Sequence, residues 1–321
     1  MKYFFVILIN FLFVNLTLAW QPTADKPIQA TVGFTPGSFP ELSFRIVSEQ
    51  VEKNTGVNFI ITSKPGAGSA VANQSIIQSP SDGHHILLGS MPAIIATDRM
   101  VIPNKKYGLD DFTFALSYAA VPMTIIAGPN ESADNIKDFI KLIKNEPVTI
   151  GDPGSAARLL YEILKSNIGF TESTNKVVRV EYKGPADTLN DVIAGHVRFG
   201  IVPLVVSYQA YKSNKIKIVA TTNSQTISNL SGVTSITSVY PNVDFALYAG
   251  IILPKNTSKP IVDWYVTEFN RALSNKDVQD KLGVLNVFVD KKLTTPQSFS
   301  DWTYLQEKKY SPLIDQIITV K

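Results

Sequence analysis

Cysteine is absent from this sequence of 321 residues. Its absence excludes both a disulfide framework and a cysteine-linked lipid anchor. The folded chain must therefore be stabilised by its core alone. An apolar fraction of 45% supports globular cores, and the length corresponds to about two domains of ordinary size.

An excess of one kind of charge is also missing. Charged residues make up 18% of the chain, the formal net charge is +3, and the lysines and arginines are scattered along the sequence. Proteins that bind nucleic acid or membrane surfaces concentrate basic residues on one face. We therefore expect neither of these partners.

Motifs for catalysis are missing as well. The sequence has no Gly-x-Ser-x-Gly, no Gly-Lys-Ser/Thr loop and no Gly-x-Gly-x-x-Gly. Two of the three histidines, His84 and His85, are adjacent, and on a strand they would point to opposite faces. That geometry is poor for one metal ion, so we expect them to face solvent or to cap an element. The sequence thus predicts no enzyme, no metal site and no cofactor.

Residues 1–19 have the layout of a secretory signal peptide. Lys2 precedes an apolar stretch, and small residues, Thr17 and Ala19, stand at the positions that determine cleavage. The alternative is an uncleaved membrane anchor, but Asn10 and Asn15 interrupt the stretch, which is short for a span of roughly 20 apolar residues. We expect cleavage near Ala19 and export, and no later stretch approaches the length of a membrane span.

The stretch from Thr31 to Arg45 contains a pattern that the rest of the chain repeats. A short apolar run gives way to a turn of Pro, Gly and Ser, and the turn opens into a helical pattern. Such a helix directs unsatisfied N–H groups and the positive end of its dipole into the loop, which suits an anionic ligand. An ordinary turn that binds nothing is the alternative.

This strand, turn and helix unit recurs. A second apolar run precedes the glycine-rich turn 64–69, a third ends at Ser90, and another leads into the turn 151–155 before a helix over residues 156–167. The rhythm predicts parallel strands flanked by helices, with ligands at the carboxyl ends of the strands.

Two segments depart from this rhythm. Residues 112–129 are strand-like without a long helix, and residues 243–253 form a long strand-like run. We interpret them as two hinge crossings between α/β lobes, each a central β-sheet flanked by helices. Lobe 1 is then residues 20–124 and 246–321, and lobe 2 is residues 125–245. In lobe 2, Ser132 or Asp134 is predicted to cap an amphipathic helix. A closing helix over residues 299–318 is expected to be interrupted or kinked near Pro312.

Six short motifs occur in a characteristic order. They are residues 32–41 with Arg45, residues 64–68, residues 81–83, residues 111–112, residues 180–184 with Leu189, Asp191 and Gly195, and residues 248–250 with 254–260. Together they resemble the tripartite tricarboxylate transporter substrate-binding proteins, also called TctC-like or Bug receptors of Gram-negative bacteria. The resemblance covers nearly the whole mature chain.

The resemblance implies a monomeric, periplasmic solute receptor with the two-lobed periplasmic binding protein fold. Such a receptor closes on a small di- or tricarboxylate-like acid and delivers it to the permease subunits of the tripartite system. An exported enzyme on the same fold, or a ligand sensor that serves a signalling receptor, is the alternative.

In this family, backbone amides, hydroxyl groups and waters from loops of both lobes hold the carboxylates. The candidate ligand-binding residues are Phe34, Gly37, Ser38, Glu41, Gly66, Ala67, Gly68 and Ser90 in lobe 1, and Gly154, Ser155, Arg158 and Tyr182 in lobe 2.

Several candidate positions depart from the family pattern. Ser38 replaces a glycine, Glu41 replaces an aspartate, and Arg158 stands where histidine is frequent. Arg158 is either a bidentate carboxylate contact or a surface arginine. Because the departures cluster at the expected cleft, the ligand can differ from that of the relatives.

Overall fold

The computed structural model describes residues 20–23, 25–102, 107–171, 176–224, 227 and 229–319. The expected signal peptide, residues 1–19, lies outside these ranges.

The elements alternate along most of the chain. The strands are β1 (Ile28–Val32), β2 (Phe59–Ser63), β3 (His85–Met91), β4 (Phe112–Ala127), β5 (Val148–Asp152), β6 (Val177–Glu181), β7 (Phe199–Pro203), β8 (Lys217–Thr221) and β9 (Ala246–Pro254). The helices are α1 (Phe39–Thr55), α2 (Ala70–Ile77), α3 (Asp98–Val101), α4 (Ile136–Asn145), α5 (Ser155–Ile168), α6 (Pro185–Ala194), α7 (Leu204–Lys212), α8 (Lys259–Leu273), α9 (Lys276–Val284) and α10 (Pro296–Thr319). A π-helical turn over Ala93–Thr97 follows β3, and a 3₁₀ turn over Ala67–Ser69 precedes α2.

Within the described residues the strands form one connected sheet in the order β2-β1-β3-β9-β4-β7-β5-β6, with β8 also paired to β4. β1, β2 and β3 are parallel, as are β5, β6 and β7. β4 and β9 pair with each other and with their other neighbours in the antiparallel sense. The α/β architecture expected from the sequence is confirmed.

Strand β4 is the connection between the two halves of the sheet. Its residues from Phe112 to Pro122 pair with β9, whereas those from Met123 to Ala127 pair with β7. The strand-like segment predicted over residues 112–129 thus contains one strand of 16 residues. One strand therefore belongs to both halves of the sheet.

Three helical details differ from expectation. The cap of α4 is Asn135, whose Oδ1 accepts hydrogen bonds from the N–H groups of Lys137 and Asp138, so the prediction of Ser132 or Asp134 is wrong. Helices α7 and α9 were not expected. Helix α10 runs continuously from residue 296 to residue 319 with Pro312 inside it.

Buried aromatic side chains anchor the helices on the sheet. Phe44 of α1 stacks on Phe269 of α8 with ring centroids 5.8 Å apart, and it also meets Tyr118 of β4 at 5.8 Å. In the other half, Phe139 of α4 packs edge-on against Phe199 of β7 at 4.9 Å. Each such pair contributes roughly 0.5–1.5 kcal/mol beyond the apolar area that it buries.

Across the described ranges, the helices lack the combination of length and hydrophobicity that a membrane crossing requires.

Candidate functional site

The candidate residues lie in two groups at the carboxyl ends of parallel strands. The first group follows β1 and β2, and the second follows β5 and β6. Ser90 differs from the rest because it lies inside β3 opposite Ala249 and is only 5% exposed. It is a strand residue and not the loop residue that the sequence suggested.

The two loops of the first group touch at Gly33. A Cβ atom on Gly33 would lie 2.1 Å from Oγ of Ser69 and 3.0 Å from its Cα. Glycine is therefore required by the close approach of the turn after β1 to the turn after β2. Phe34, next in the chain, is partly buried and packs against the core. The contact brings Gly37 and Ser38 into the same region as Gly66, Ala67 and Gly68.

The turn after β2 has an unusual backbone. Gly66, Ala67, Gly68 and Ser69 all have positive φ angles, of 140°, 46°, 65° and 90° respectively. The N–H of Ser69 donates to the carbonyl of Gly66, but those of Ala67 and Gly68 have no protein acceptor in the described chain. Adjacent backbone N–H groups exposed by such a turn form a concave site that suits an anion. This supports the expectation for Ala67 and Gly68.

At Gly37, unlike at Ala67 and Gly68, the backbone N–H already has an acceptor within the protein. Its N–H donates to Oε2 of Glu41 at 2.9 Å, while Oε1 of Glu41 accepts from Nε and Nη2 of Arg45 at 2.9 and 2.6 Å. Glu41 is 5% exposed. Its carboxylate therefore occupies the start of α1, where the sequence suggested an external anion, and it neutralises the positive end of the helix dipole. Glu41 shapes the loop from within the protein.

Ser38 is the N-cap residue of α1, but its side chain makes no capping bond. Its Oγ is inaccessible to solvent and has no hydrogen-bond partner among the described residues. A buried hydroxyl without a partner carries a free-energy cost that a ligand oxygen could relieve.

The second group repeats the arrangement at Gly37. The N–H of Gly154 donates to Oδ1 of Asp152 at 2.7 Å, and Oδ2 of Asp152 lies 2.8 Å from Nη1 of Arg179. Asp152 is fully buried, and this burial raises its pKa, against the opposing effect of Arg179. The turns at Gly37 and Gly154 are thus each held by an internal carboxylate that is itself paired with an arginine.

Tyr182 follows β6, and a hydrogen bond from its hydroxyl group fixes its orientation. Its hydroxyl donates to Oδ2 of Asp191 at 2.7 Å, and Oδ1 of Asp191 lies 3.2 Å from Nδ1 of His196. Burial and the neighbouring carboxylate raise the pKa of Tyr182 to about 12. A Cβ on Gly151 would lie 2.9 Å from the Tyr182 ring, so the ring covers the backbone of β5. The ring face is therefore what Tyr182 can offer a ligand.

Arg158 is already engaged inside its own helix. Its Nη2 lies 2.6 Å from Oε1 of Glu162, and its guanidinium lies 5.9 Å from the centroid of the Tyr161 ring. The arginine remains a predicted contact, but it would have to leave Glu162 to bind a carboxylate. The side chain of Ser155 lies outside the described residues; its backbone begins α5.

Helix α5 brings the two groups toward each other. It packs against the π-helical turn Ala93–Thr97, which follows β3, and also meets α10. The second half of the sheet is therefore in contact with the first beside the candidate loops.

These loops present backbone N–H groups, hydroxyls, and carboxylates that are paired with arginines. Among the residues that the structure describes, no group of three or more His, Asp or Glu side chains could hold a metal ion. His84 is 8% exposed and packs edge-on against Trp20 at 5.8 Å, so the expectation that it faces solvent is wrong. Burial lowers the pKa of His84, which keeps the ring neutral at neutral pH.

Sequence reasoning missed the side chains behind the loops, namely Asp152, Arg179, Ser69 and His196. For the position of Glu41, however, the sequence did contain a signal. Ser38 and Glu41 have the Ser-x-x-Glu spacing of a capping box, which places a glutamate back over the start of a helix.

A sequence model described as the tripartite tricarboxylate transporter family receptor matches residues 43–318. Among curated proteins, Protein BugT of Bordetella pertussis is 23% identical over 259 residues, which cover 79% of this chain and 78% of BugT.

Solved structures with the same fold include two proteins with bound acids. R. palustris Rpa4515 with adipate has a TM-score of 0.80 and 22% identity, over 91% of this chain and 97% of that one. MatC (Rpa3494) from Rhodopseudomonas palustris with bound malate has a TM-score of 0.77 and 18% identity, over 90% and 98%. At these identities the likeness establishes the fold, which is that of two-lobed periplasmic binding proteins.

Proposed function

Because the chain belongs to the tripartite tricarboxylate transporter receptor family, we propose that it binds a small di- or tricarboxylate-like acid between two lobes. Receptors of this family are periplasmic, and the lobes we assign are residues 20–124 with 246–321 and residues 125–245. The observation that carries the proposal is the pair of unpartnered N–H groups on Ala67 and Gly68 in the left-handed turn. The acids bound by the two structural neighbours support the ligand class.

The pairing of the nearby arginines supports recognition of the ligand carboxylate by uncharged hydrogen-bond donors. In the described candidate loops, Arg45, Arg158 and Arg179 are each paired with a carboxylate of the same lobe. A ligand carboxylate would therefore be held mainly by backbone N–H groups, hydroxyls and water. Lobe closure would add contacts from α5 and remove the ligand from solvent.

Calorimetry and thermal unfolding with adipate and malate test the proposal. We expect at least one acid to bind at a 1:1 ratio and to be recovered unchanged, as a receptor and not an enzyme requires. At a ligand concentration about 100 times Kd, the stabilisation is about 2.7 kcal/mol. 1,6-Hexanediol, which has the length of adipate without its charges, should not bind.

A matched pair of variants locates the site. Gly68→Val strains a residue with φ of 65° inside the turn, whereas Gly232→Val strains a residue with φ of 84° that has no atom within 4 Å of its Cβ position. Affinity should fall about tenfold, or 1.4 kcal/mol, only in the first variant. Equal affinity in both variants, or equal binding of adipate and hexanediol, would contradict the site.

Delivery to a permease and export are separate parts of the proposal. Mass spectrometry of the secreted protein should find an N-terminus near Trp20. Uptake of the bound acid by cells should be lost on deletion of this chain and restored by its expression. Uptake that persists without the chain would remove the transport role and leave the binding result intact.

A further inference from the structure

A cavity lies where β9, α10 and the turn after β3 meet. Its volume is about 180 Å³, and its walls include Phe245, Tyr248, Trp302 and Tyr310, with Asp244 and Lys309 also lining it. We call it the hinge pocket. None of the twelve candidate ligand residues lines it. The proposed carboxylate site therefore does not account for this cavity.

The aromatic walls of the hinge pocket come from α10, from β9 and from the residue before β9, and residues of β3 and the turn after it complete the lining. Tyr248 of β9 and Trp302 of α10 have ring centroids 4.5 Å apart, and Phe245 meets Tyr310 of α10 edge-on at 6.0 Å. Rings packed in pairs lose little entropy when a ligand enters, so they provide a preformed apolar surface.

Two opposite charges line this one cavity without pairing. Asp244 accepts two hydrogen bonds from Ser224, at 3.2 Å from the backbone N–H and at 2.8 Å from Oγ, and has no cationic partner in the described chain. Nζ of Lys309 lies 5.0 Å from the centroid of the Tyr310 ring and likewise has no carboxylate partner there. Both residues are exposed. An anionic and a cationic group are therefore both available to a ligand.

Two hydroxyl groups add to these charges. Those of Tyr248 and Tyr310 make no hydrogen bond within the described residues. Burial, with nearby carboxylates, raises the pKa of both phenols well above the usual range, so both keep their protons at neutral pH. They are donors without acceptors at the wall of the pocket.

We propose that the hinge pocket binds a small zwitterion with an apolar body, its carboxylate toward Lys309 and the tyrosine hydroxyls and its ammonium group toward Asp244. The paired rings would cover the apolar body. A purely anionic ligand would leave Asp244 opposed to it, and a purely cationic ligand would meet Lys309, so only a ligand with both charges satisfies both ends. The volume limits the ligand to about the size of an amino acid.

Calorimetry with three matched probes tests the charge requirement. L-Leucine carries both charges, leucinamide keeps only the ammonium group, and 4-methylpentanoate keeps only the carboxylate. Leucine should bind at least about tenfold more tightly than either analogue, the effect of one charge-assisted contact. Equal binding of the three probes, or no binding of leucine, would overturn the proposal.

Variants then assign the charges to residues. Asp244→Asn and Lys309→Gln should each weaken leucine binding about tenfold. Lys308→Gln and Asp301→Asn change exposed residues of α10 that do not line the pocket, so their affinity should stay within about twofold of the native protein. Leucine affinity that is the same in all four variants would refute the assignment.

Competition separates this site from the proposed carboxylate site. Saturating adipate or malate should not displace leucine, because the glycine-rich loops contribute nothing to the hinge pocket. Displacement would show that leucine occupies the carboxylate site and would overturn the inference. Failure of adipate and malate to bind would count against the carboxylate site and leave the leucine result standing.

Discussion

At the scale of single residues, Gly33 controls how closely the two lobe 1 loops approach. Gly33→Ala would place a Cβ 2.1 Å from Oγ of Ser69, so one turn must move. We expect a loss of about 1–3 kcal/mol in the free energy of unfolding, as for other overpacked sites. Urea denaturation measures the loss, and calorimetry with adipate should show weaker binding.

A second substitution gives the control for Gly33→Ala. Adding Ser69→Gly removes the clashing atoms and also relieves a residue with φ of 90°, so the double variant should recover most of the stability. Gly108→Ala, with no atom of the described residues within 4 Å of the new Cβ, should stay within about 0.5 kcal/mol of the native protein. If Gly33→Ala has the same free energy of unfolding as the native protein, the two loops can separate without loss of stability, which would contradict the prediction.

Glu131 carries the clearest pH dependence. Its carboxylate accepts from Nε and Nη2 of Arg198 at 2.8 and 2.9 Å, and these bonds lower the pKa of Glu131 from 4.5 to about 2. A lowered pKa stabilises the protein above the unfolded value of 4.5, and this stability is lost as the pH falls toward 2. Glu131→Gln should therefore cost about 2 kcal/mol at pH 7.

Denaturation at several pH values tests whether this stability is lost at low pH, as expected. The difference between Glu131→Gln and the native protein should be constant from pH 7 to about 5 and should shrink at lower pH. A difference that persists unchanged at pH 2.5 would show that the carboxylate charge is not its source.

These residues also show what the sequence could and could not predict. The turn residues Gly66, Ala67 and Gly68 were found because their pattern is local, whereas their roles as ligand contacts remain predictions. Arg198 lies 67 residues from Glu131, and Arg179 lies 27 residues from Asp152. Such partners meet only through strand order, which one sequence does not specify.

At the scale of elements, most strands and helices were predicted within a few residues because their apolar periodicity is strong. Helix α7 was missed because it follows β7 directly, with Pro203 as its N-cap residue and no polar cap in the sequence. Helix α9 was missed because only Val278 and Leu282 are buried on it. Where packing supplies few apolar positions, helical periodicity is too weak to identify an element.

The packing of α10 on β9 depends on one glycine. A Cβ on Gly250 would lie 2.3 Å from the ring of Phe299, which is fully buried, and 3.0 Å from the carbonyl oxygen of Leu116. Because one of these contacts is backbone, rotation of the ring cannot relieve the clash. Gly250→Ala should cost about 1–3 kcal/mol in urea denaturation.

Gly283→Ala is the matched control, with the opposite sign expected. Gly283 lies within α9, and nothing is within 4 Å of its Cβ position. Alanine should therefore add up to about 0.5–1 kcal/mol through helix propensity alone. Equal effects at positions 250 and 283 would contradict the close packing of α10 on β9.

At the scale of the whole molecule, the two lobes share structure that should make them unfold together. Strand β4 belongs to both halves of the sheet, and one cluster of buried apolar side chains runs through both. All three tryptophans, Trp20, Trp264 and Trp302, belong to the assigned lobe 1. Tryptophan fluorescence therefore reports on lobe 1, while far-UV circular dichroism reports on both lobes.

We expect thermal unfolding followed by the two methods to give the same midpoint, because lobe 1 cannot unfold without disrupting β4. Glu131→Gln makes the test sharper, since its ion pair with Arg198 lies in the assigned lobe 2, whereas all three tryptophans belong to the assigned lobe 1. If the lobes are coupled, this variant lowers the fluorescence midpoint and the dichroism midpoint by the same few degrees. A fluorescence midpoint that stays at the native value while the dichroism midpoint falls would show that the lobes unfold separately and that β4 acts only as a tether.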